Sequence, residues 1–202
     1  MKKTVTLIAF AGIAAAAQAQ SGSLTIVPSV NTLGTTGASG TMTLSIYGDA
    51  DFGTAISGGG FGISAAGGAS IMDMTASTPL WGSLGFQDLG HAGDGNHNGL
   101  IFGQLIFPPF IPADAASLLG NGPVLLGWFQ LTFEANTWQT IDFTTTGGIG
   151  DFTLEIFDEA TGGFTQLTGD ISHGSASVVV TPTPSALALL GLGGLAAGRR
   201  RR

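Results

Sequence analysis

Thr41-Met42-Thr43-Leu44-Ser45-Ile46-Tyr47 alternates polar and apolar residues without a break. A period of two places Met42, Leu44 and Ile46 on one face of an extended chain and the hydroxyl-bearing residues on the other, the signature of a strand with one buried side. The same pattern recurs outward from this stretch. Phe152-Thr153-Leu154-Glu155-Ile156 repeats it, and Leu125 to Phe133 sets Leu125, Phe129, Leu131 and Phe133 against Gln130, Thr132 and Glu134. Leu100 to Phe107 is apolar on both faces, as a central strand between two layers is. Leu24 to Val30, Phe61 to Ser64, Ala69 to Met74, Thr137 to Phe143 and Ser175 to Val180 are further strand candidates, separated by glycine turns. No helical period exceeds Ala113 to Leu119, and Pro108-Pro109-Phe110-Ile111-Pro112 reads as a loop crossing one end. The expected fold is all-β: an antiparallel β-sandwich of about eight or nine strands.

Composition narrows the function classes. The chain of 202 residues has six basic residues, Lys2, Lys3 and Arg199 to Arg202, and all thirteen carboxylates lie between them. The body therefore repels phosphate and has no side-chain cation to neutralise it, which excludes nucleic acid as a partner and disfavours phosphoryl transfer. There is no cysteine, so neither disulfides nor thiolate metal sites exist. Glycine contributes 34 residues, yet 44% hydrophobic content with regular alternation favours a packed β-protein over disorder.

The two ends carry export signals. Lys2 and Lys3, the apolar run Val5 to Ala17, and the small residues Ala17 and Ala19 have the form of a secretory signal cleaved after Ala19 by signal peptidase. At the other end, Ser185 to Gly198 is expected to form a short hydrophobic helix. Its 14 residues reach about 21 Å, short of a bilayer core of roughly 30 Å. Arg199, Arg200, Arg201 and Arg202 hold such a segment on the cytoplasmic side during export. The expected division is signal peptide 1–19, sandwich 20–181 and C-terminal sorting signal 182–202.

A proline motif at Pro182, Thr183, Pro184 and Ser185, then an apolar run rich in Leu, Ala and Gly, then an arginine cluster resembles the PEP-CTERM sorting signal of Gram-negative and planctomycete-like bacteria. Pro182-Thr183-Pro184 stands where that family usually has Pro-Glu-Pro. The resemblance implies recognition by an exosortase-like processing enzyme, transient anchoring in the inner membrane, and release to the cell surface or extracellular matrix; a plain C-terminal anchor is the alternative. In the body, the order of Gly103-Gln104-Leu105, the proline-rich crossing, Pro123 to Phe133 and Trp138 to Thr145 is loosely similar to cohesin-like sandwich domains.

Candidate chemistry is sparse. Asp94, Asn96 and Asn98 place oxygen ligands at alternate positions before Gly99, the first half of a calcium loop whose second half is missing; an ordinary exposed turn competes with it. His91 and His97 flank Asp94 and make zinc imaginable, against solvated loop histidines. Glu134, Asp142, Asp151, Glu155, Asp158 and Glu159 supply carboxylates for a hydrolase, or simply keep a secreted surface soluble. Trp128 and Trp138 lie opposite the inward positions of their strands and form the candidate ligand-stacking pair, with Trp81 the remaining tryptophan. No cofactor is expected apart from candidate calcium. The expected function is a non-enzymatic surface or matrix protein, with a polysaccharide- or protein-binding module as the alternative and a secreted hydrolase third.

Overall fold

The structure is a computed structural model, and it describes residues 19–35, 40–79, 85–107, 109, 111–112, 115–134, 138–148 and 153–182. The signal peptide up to residue 18 and the sorting signal from residue 183 lie outside these residues, as do the expected C-terminal helix, Trp81 and Asp151.

Sixteen strands occur among the described residues: β1 (Gly22–Pro28), β2 (Thr32–Thr35), β3 (Gly40–Ala50), β4 (Ala55–Ala66), β5 (Ile71–Ser77), β6 (Gln87–Asp88), β7 (His91–Gly93), β8 (Asn96–Gly103), β9 (Ile106–Phe107), β10 (Ile111–Pro112), β11 (Val124–Phe133), β12 (Gln139–Gly147), β13 (Leu154–Asp158), β14 (Gly163–Leu167), β15 (Ile171–Ser172) and β16 (Ser175–Pro182). One sheet runs β15-β1-β3-β11-β5. The other runs β14-β13-β4-β12-β16-β2, with β8 paired to β4 and the short β6 and β7 paired to β8. The inward residues of the two sheets meet in one core. Leu24, Met42, Leu44, Ile46, Phe129 and Leu131 from the first sheet pack with Phe61, Leu100, Phe102, Ile141, Phe143 and Val178 from the second. Phe61 stands edge-on to both Phe102 and Phe129, with ring centroids 5.9 and 6.0 Å away, tying the layers together.

The sandwich is not wholly antiparallel. β15 pairs β1 in parallel, Gly22 beside Ile171, and β16 pairs β2 in parallel, Val179 beside Thr32. The segments 22–35 and 171–182 thus run side by side, each beginning in the first sheet and ending in the second. Such a sheet-switching corner carries a strand from one layer to the other without a long loop.

Local expectations fare unevenly. β3 keeps the predicted alternation and extends it at both ends. In β11 the register shifts between Leu125 and Gly127, so Leu126 is fully buried and Leu125 only partly; the bulge overrides the parity that placed Leu125 inside. Leu100 to Phe107 is not one strand. β8 ends at Gly103, and Ile106–Phe107 instead pairs with Ile111–Pro112, so the proline-rich segment contributes to a small separate hairpin. The helical pattern after Ala113 yields one 3-10 turn, Ala115–Ser117. Gly58-Gly59-Gly60, readable as a turn, lies inside β4. A Cβ on Gly59 would sit 2.2 Å from Thr153 O and one on Gly58 3.0 Å from Phe102 O, so bare backbone is what lets the neighbouring strands close in on β4. No helix among the described residues is long and apolar enough to cross a membrane.

Candidate binding face and buried histidine

The outer face of the five-stranded sheet is built by the same alternation that fills the core. Every residue between two inward ones on β3 points outward, and the register aligns these with outward residues of β1, β11 and β5. Thr25, Tyr47 and Leu125 form one cross-strand row; Val27, Ser45, Trp128 and Ser77 form the next. Thr43, Gln130 and Thr75 follow, then Thr41, Thr132 and Asp73. Two aromatic side chains, both half-buried, therefore stand in adjacent rows among hydroxyl and amide groups, with Asp73 the one carboxylate in the four rows. Beside them Thr25, Val27, Tyr47 and Pro123 line a shallow, mostly apolar hollow of about 280 Å³, and Val27 is 45% exposed.

The expected tryptophan pair does not share this face. Trp128 stands on it, whereas Trp138 lies just before β12 in the other sheet and is 77% exposed. Parity along each strand foretold that both point away from the core, but not that their strands belong to different layers. Trp128's neighbour across the rows is Tyr47. Its outward position was legible in the stretch 41–47, though nothing local linked it to Trp128.

His97 is the second notable site. Its side chain is fully buried, packed with its ring centroid 4.8 Å from that of Phe129. Nδ1 accepts the Gly99 N–H at 3.1 Å, so in the neutral ring the proton resides on Nε2, which lies 3.0 Å from Asp88 Oδ1. That contact is an off-axis approach rather than a well-aligned hydrogen bond, because Nε2 finds no acceptor in line with its N–H. Burial lowers the His97 pKa below the ordinary histidine range; Asp88 pulls the other way and is the lesser influence. Asp88 is itself tied down, Oδ2 accepting Ala76 N–H at 2.8 Å and Oδ1 accepting Gly90 N–H at 2.7 Å. His91 pairs with His97 across β7 and β8. Among the described residues no group of three or more His, Cys, Asp or Glu is placed to hold a metal ion. His97 is thus not a solvated loop histidine but a core residue that joins the β6–β8 hairpins to the edge of β5.

The calcium-like stretch is a hairpin end. Asp94, at φ 51°, and Gly95 turn β7 into β8. Asn96 Oδ1 accepts Ala65 N–H at 3.0 Å while its Nδ2 donates to Gly93 O at 3.1 Å, and Asn98 Nδ2 donates to Leu89 O at 3.3 Å. Both asparagines act as backbone clips in this arrangement.

The acidic candidates are spread along strands and turns. Glu155 accepts Ser57 Oγ at 2.8 Å and Gln166 Nε2 at 3.1 Å, Asp142 accepts Ser177 Oγ, and Asp158 caps its own turn through Ala160 N and Thr161 Oγ1. Asp51 accepts both the amide and the hydroxyl of Ser21 at 2.9 Å, and these bonds lower its pKa. It lines an open groove of about 300 Å³ with Ser21, Ser23, Asp49 and Ser172.

No family model matches the chain, and no curated protein resembles it in sequence. Among solved structures it is similar to the cohesin module of a family 33 glycoside hydrolase from Clostridium perfringens, at 12% identity and a TM-score of 0.46, covering 82% of this chain and 100% of that one. It is also similar to the seventh type I cohesin of a Pseudobacteroides cellulosolvens protein, at 11% identity and a TM-score of 0.41, covering 79% and 93%. A third, the CaCohA2 structure from Clostridium acetobutylicum, is 16% identical with a TM-score of 0.41, covering 83% and 94%.

Proposed function

We propose that the chain is an exported, non-enzymatic protein of the cell surface or extracellular matrix whose five-stranded sheet binds polysaccharide through its outer face. The observation that carries the binding reading is the pair Tyr47 and Trp128 in adjacent cross-strand rows of a face whose other residues are mostly Thr, Ser and Gln, with Val27, Leu125 and Asp73 among them. Aromatic faces stack on the C–H side of sugar rings, and hydroxyl and amide groups exchange hydrogen bonds with sugar hydroxyls. Acidic character and the absence of Lys and Arg between residues 4 and 198 favour a neutral polymer over an anionic one.

Export rests on the sequence at the two ends. Signal peptidase removes residues 1–19, and the segment 182–202 holds the chain in the membrane until an exosortase-like enzyme cuts near Pro182, Thr183, Pro184 and Ser185. The fold accommodates the first cut, since β1 starts only at Gly22.

Binding is tested on an array of neutral glycans and by pull-down with insoluble polysaccharides. Retention of the wild-type chain that drops at least tenfold in Trp128→Ala, with an unchanged far-ultraviolet spectrum, supports the reading; equal retention of both chains rejects it. Export is tested by intact mass. A species beginning at Gln20 and ending near Pro184 in the medium supports processing, and a species keeping Arg202 in the membrane fraction rejects it in favour of a plain anchor.

A further inference from the structure

The two ends of the described chain leave the sandwich at opposite poles. β1 and β15 begin together, Gly22 beside Ile171, and β2 and β16 finish together, Thr35 beside Pro182. The eight residues of β16 alone cover about 26 Å at roughly 3.3 Å each. No linker follows this strand. Only Thr183, Pro184 and Ser185 separate Pro182 from the apolar run that starts at Ala186, and three residues span at most about 11 Å.

The exit pole has its own surface chemistry. Trp138 precedes Gln139, the register partner of Val180, so it stands within about two residues of the end of β16 and is 77% exposed. Met72, next to Ile71 and hence beside Phe133 at the same pole, is also exposed. Carboxylates stand at both poles. The far pole gathers Asp49 and Asp51 around Ser21 and Ser23, Asp170 beside Gly22, and Asp158 and Glu159 against Thr54, while the exit pole carries Glu134 just after Phe133 and Asp94 against Gly68.

We infer that, while the tail is inserted, the pole bearing Trp138 rests on the lipid bilayer, with the indole of Trp138 in the headgroup layer. This rests on reading 182–202 as a membrane-inserted segment. The tether gives the orientation: three residues are too few to hold the exit pole, with the exposed Trp138 and Met72, far from the membrane. Indole belongs at such an interface, its ring in apolar surroundings and its N–H in water.

The test uses the exported chain, Gln20 to Arg202, with vesicles of phosphatidylcholine brominated high on the acyl chain. Flotation reports insertion of the tail, and tryptophan quenching reports proximity to lipid. The inference expects flotation with quenching, most of it lost in Trp138→Phe, whose far-ultraviolet spectrum and unfolding temperature match the wild type. Flotation with quenching undiminished in Trp138→Phe, or with no quenching, overturns the pole contact and leaves the tail reading standing. A chain that does not float overturns both.

Discussion

β3 and β4 are consecutive, of similar length and each internal to its sheet, yet they are built by opposite means. In β3 side chains alternate: Met42, Leu44 and Ile46 are buried while Thr41, Thr43, Ser45 and Tyr47 face outward. In β4 every residue from Ala55 to Ile63 is buried, and Gly58, Gly59 and Gly60 leave backbone alone where β8 and β13 press in. One strand gains its place through burial of apolar side chains, the other through removing side chains so that neighbours approach. The difference separates what tolerates change. β3's outer face is open to substitution and so can be a binding surface, whereas β4 has no such side along its first nine residues.

The sharpest way to break this contrast is a core truncation on β3. Leu44→Ala, at a fully buried position, is expected to cost about 2–5 kcal/mol in chemical denaturation, by lost transfer energy and a cavity. A smaller cost would mean that β3 does not anchor the core. On β4 the damaging change is addition. Gly59→Ala, whose Cβ meets a backbone oxygen at 2.2 Å, is expected to cost about 1–3 kcal/mol or more by overpacking. Gly103→Ala on neighbouring β8, whose Cβ would lie 3.7 Å from Ser57 O, should change stability by less than about 1 kcal/mol. Equal effects at Gly59 and Gly103 would refute the close-approach account.

His97 sharpens the comparison through pH. Burial lowers its folded pKa, so the unfolded chain binds the proton more readily. Stability from this group is full above the ordinary histidine range near 6.5 and falls as pH drops through the folded value. Unfolding temperature measured against pH should show this decline, and His97→Gln should flatten it above the carboxylate range. Asp88, His91 and Asp73 are the charged or titratable groups acting on His97, and retention of the decline in His97→Gln would overturn its assignment to His97. The smallest effect is at the exposed surface: Trp138→Phe is expected to leave stability within about 0.5 kcal/mol, read by the same denaturation curve.

Legibility followed range along the chain. The alternation at 41–47 and 129–133 was readable because a period of two is local and needs no knowledge of partners. The bulge at Leu125/Gly127 and the splitting of Leu100–Phe107 were not, since both arise where a strand adjusts to its neighbour's register. Asp94 to Gly99 is rich in turn formers and reads as a loop; the alternation of burial over Asn96-His97-Asn98-Gly99 emerges only once β8 pairs with its neighbours. Trp128 and Trp138 belong to strands of different sheets, and the period of either strand alone does not reveal that.

By itself the sequence determined an all-β sandwich with an acidic body, and it placed Tyr47 and Trp128 on outward positions, because charge and side-chain period are properties of the chain alone. The tertiary structure decided which strands share a sheet, that a glycine triplet is a close-packed strand and not a turn, that 22–35 and 171–182 switch layers together, and that His97 is buried. Each of these depends on atoms brought together from distant positions, where steric fit and desolvation act between segments and leave no local period to read.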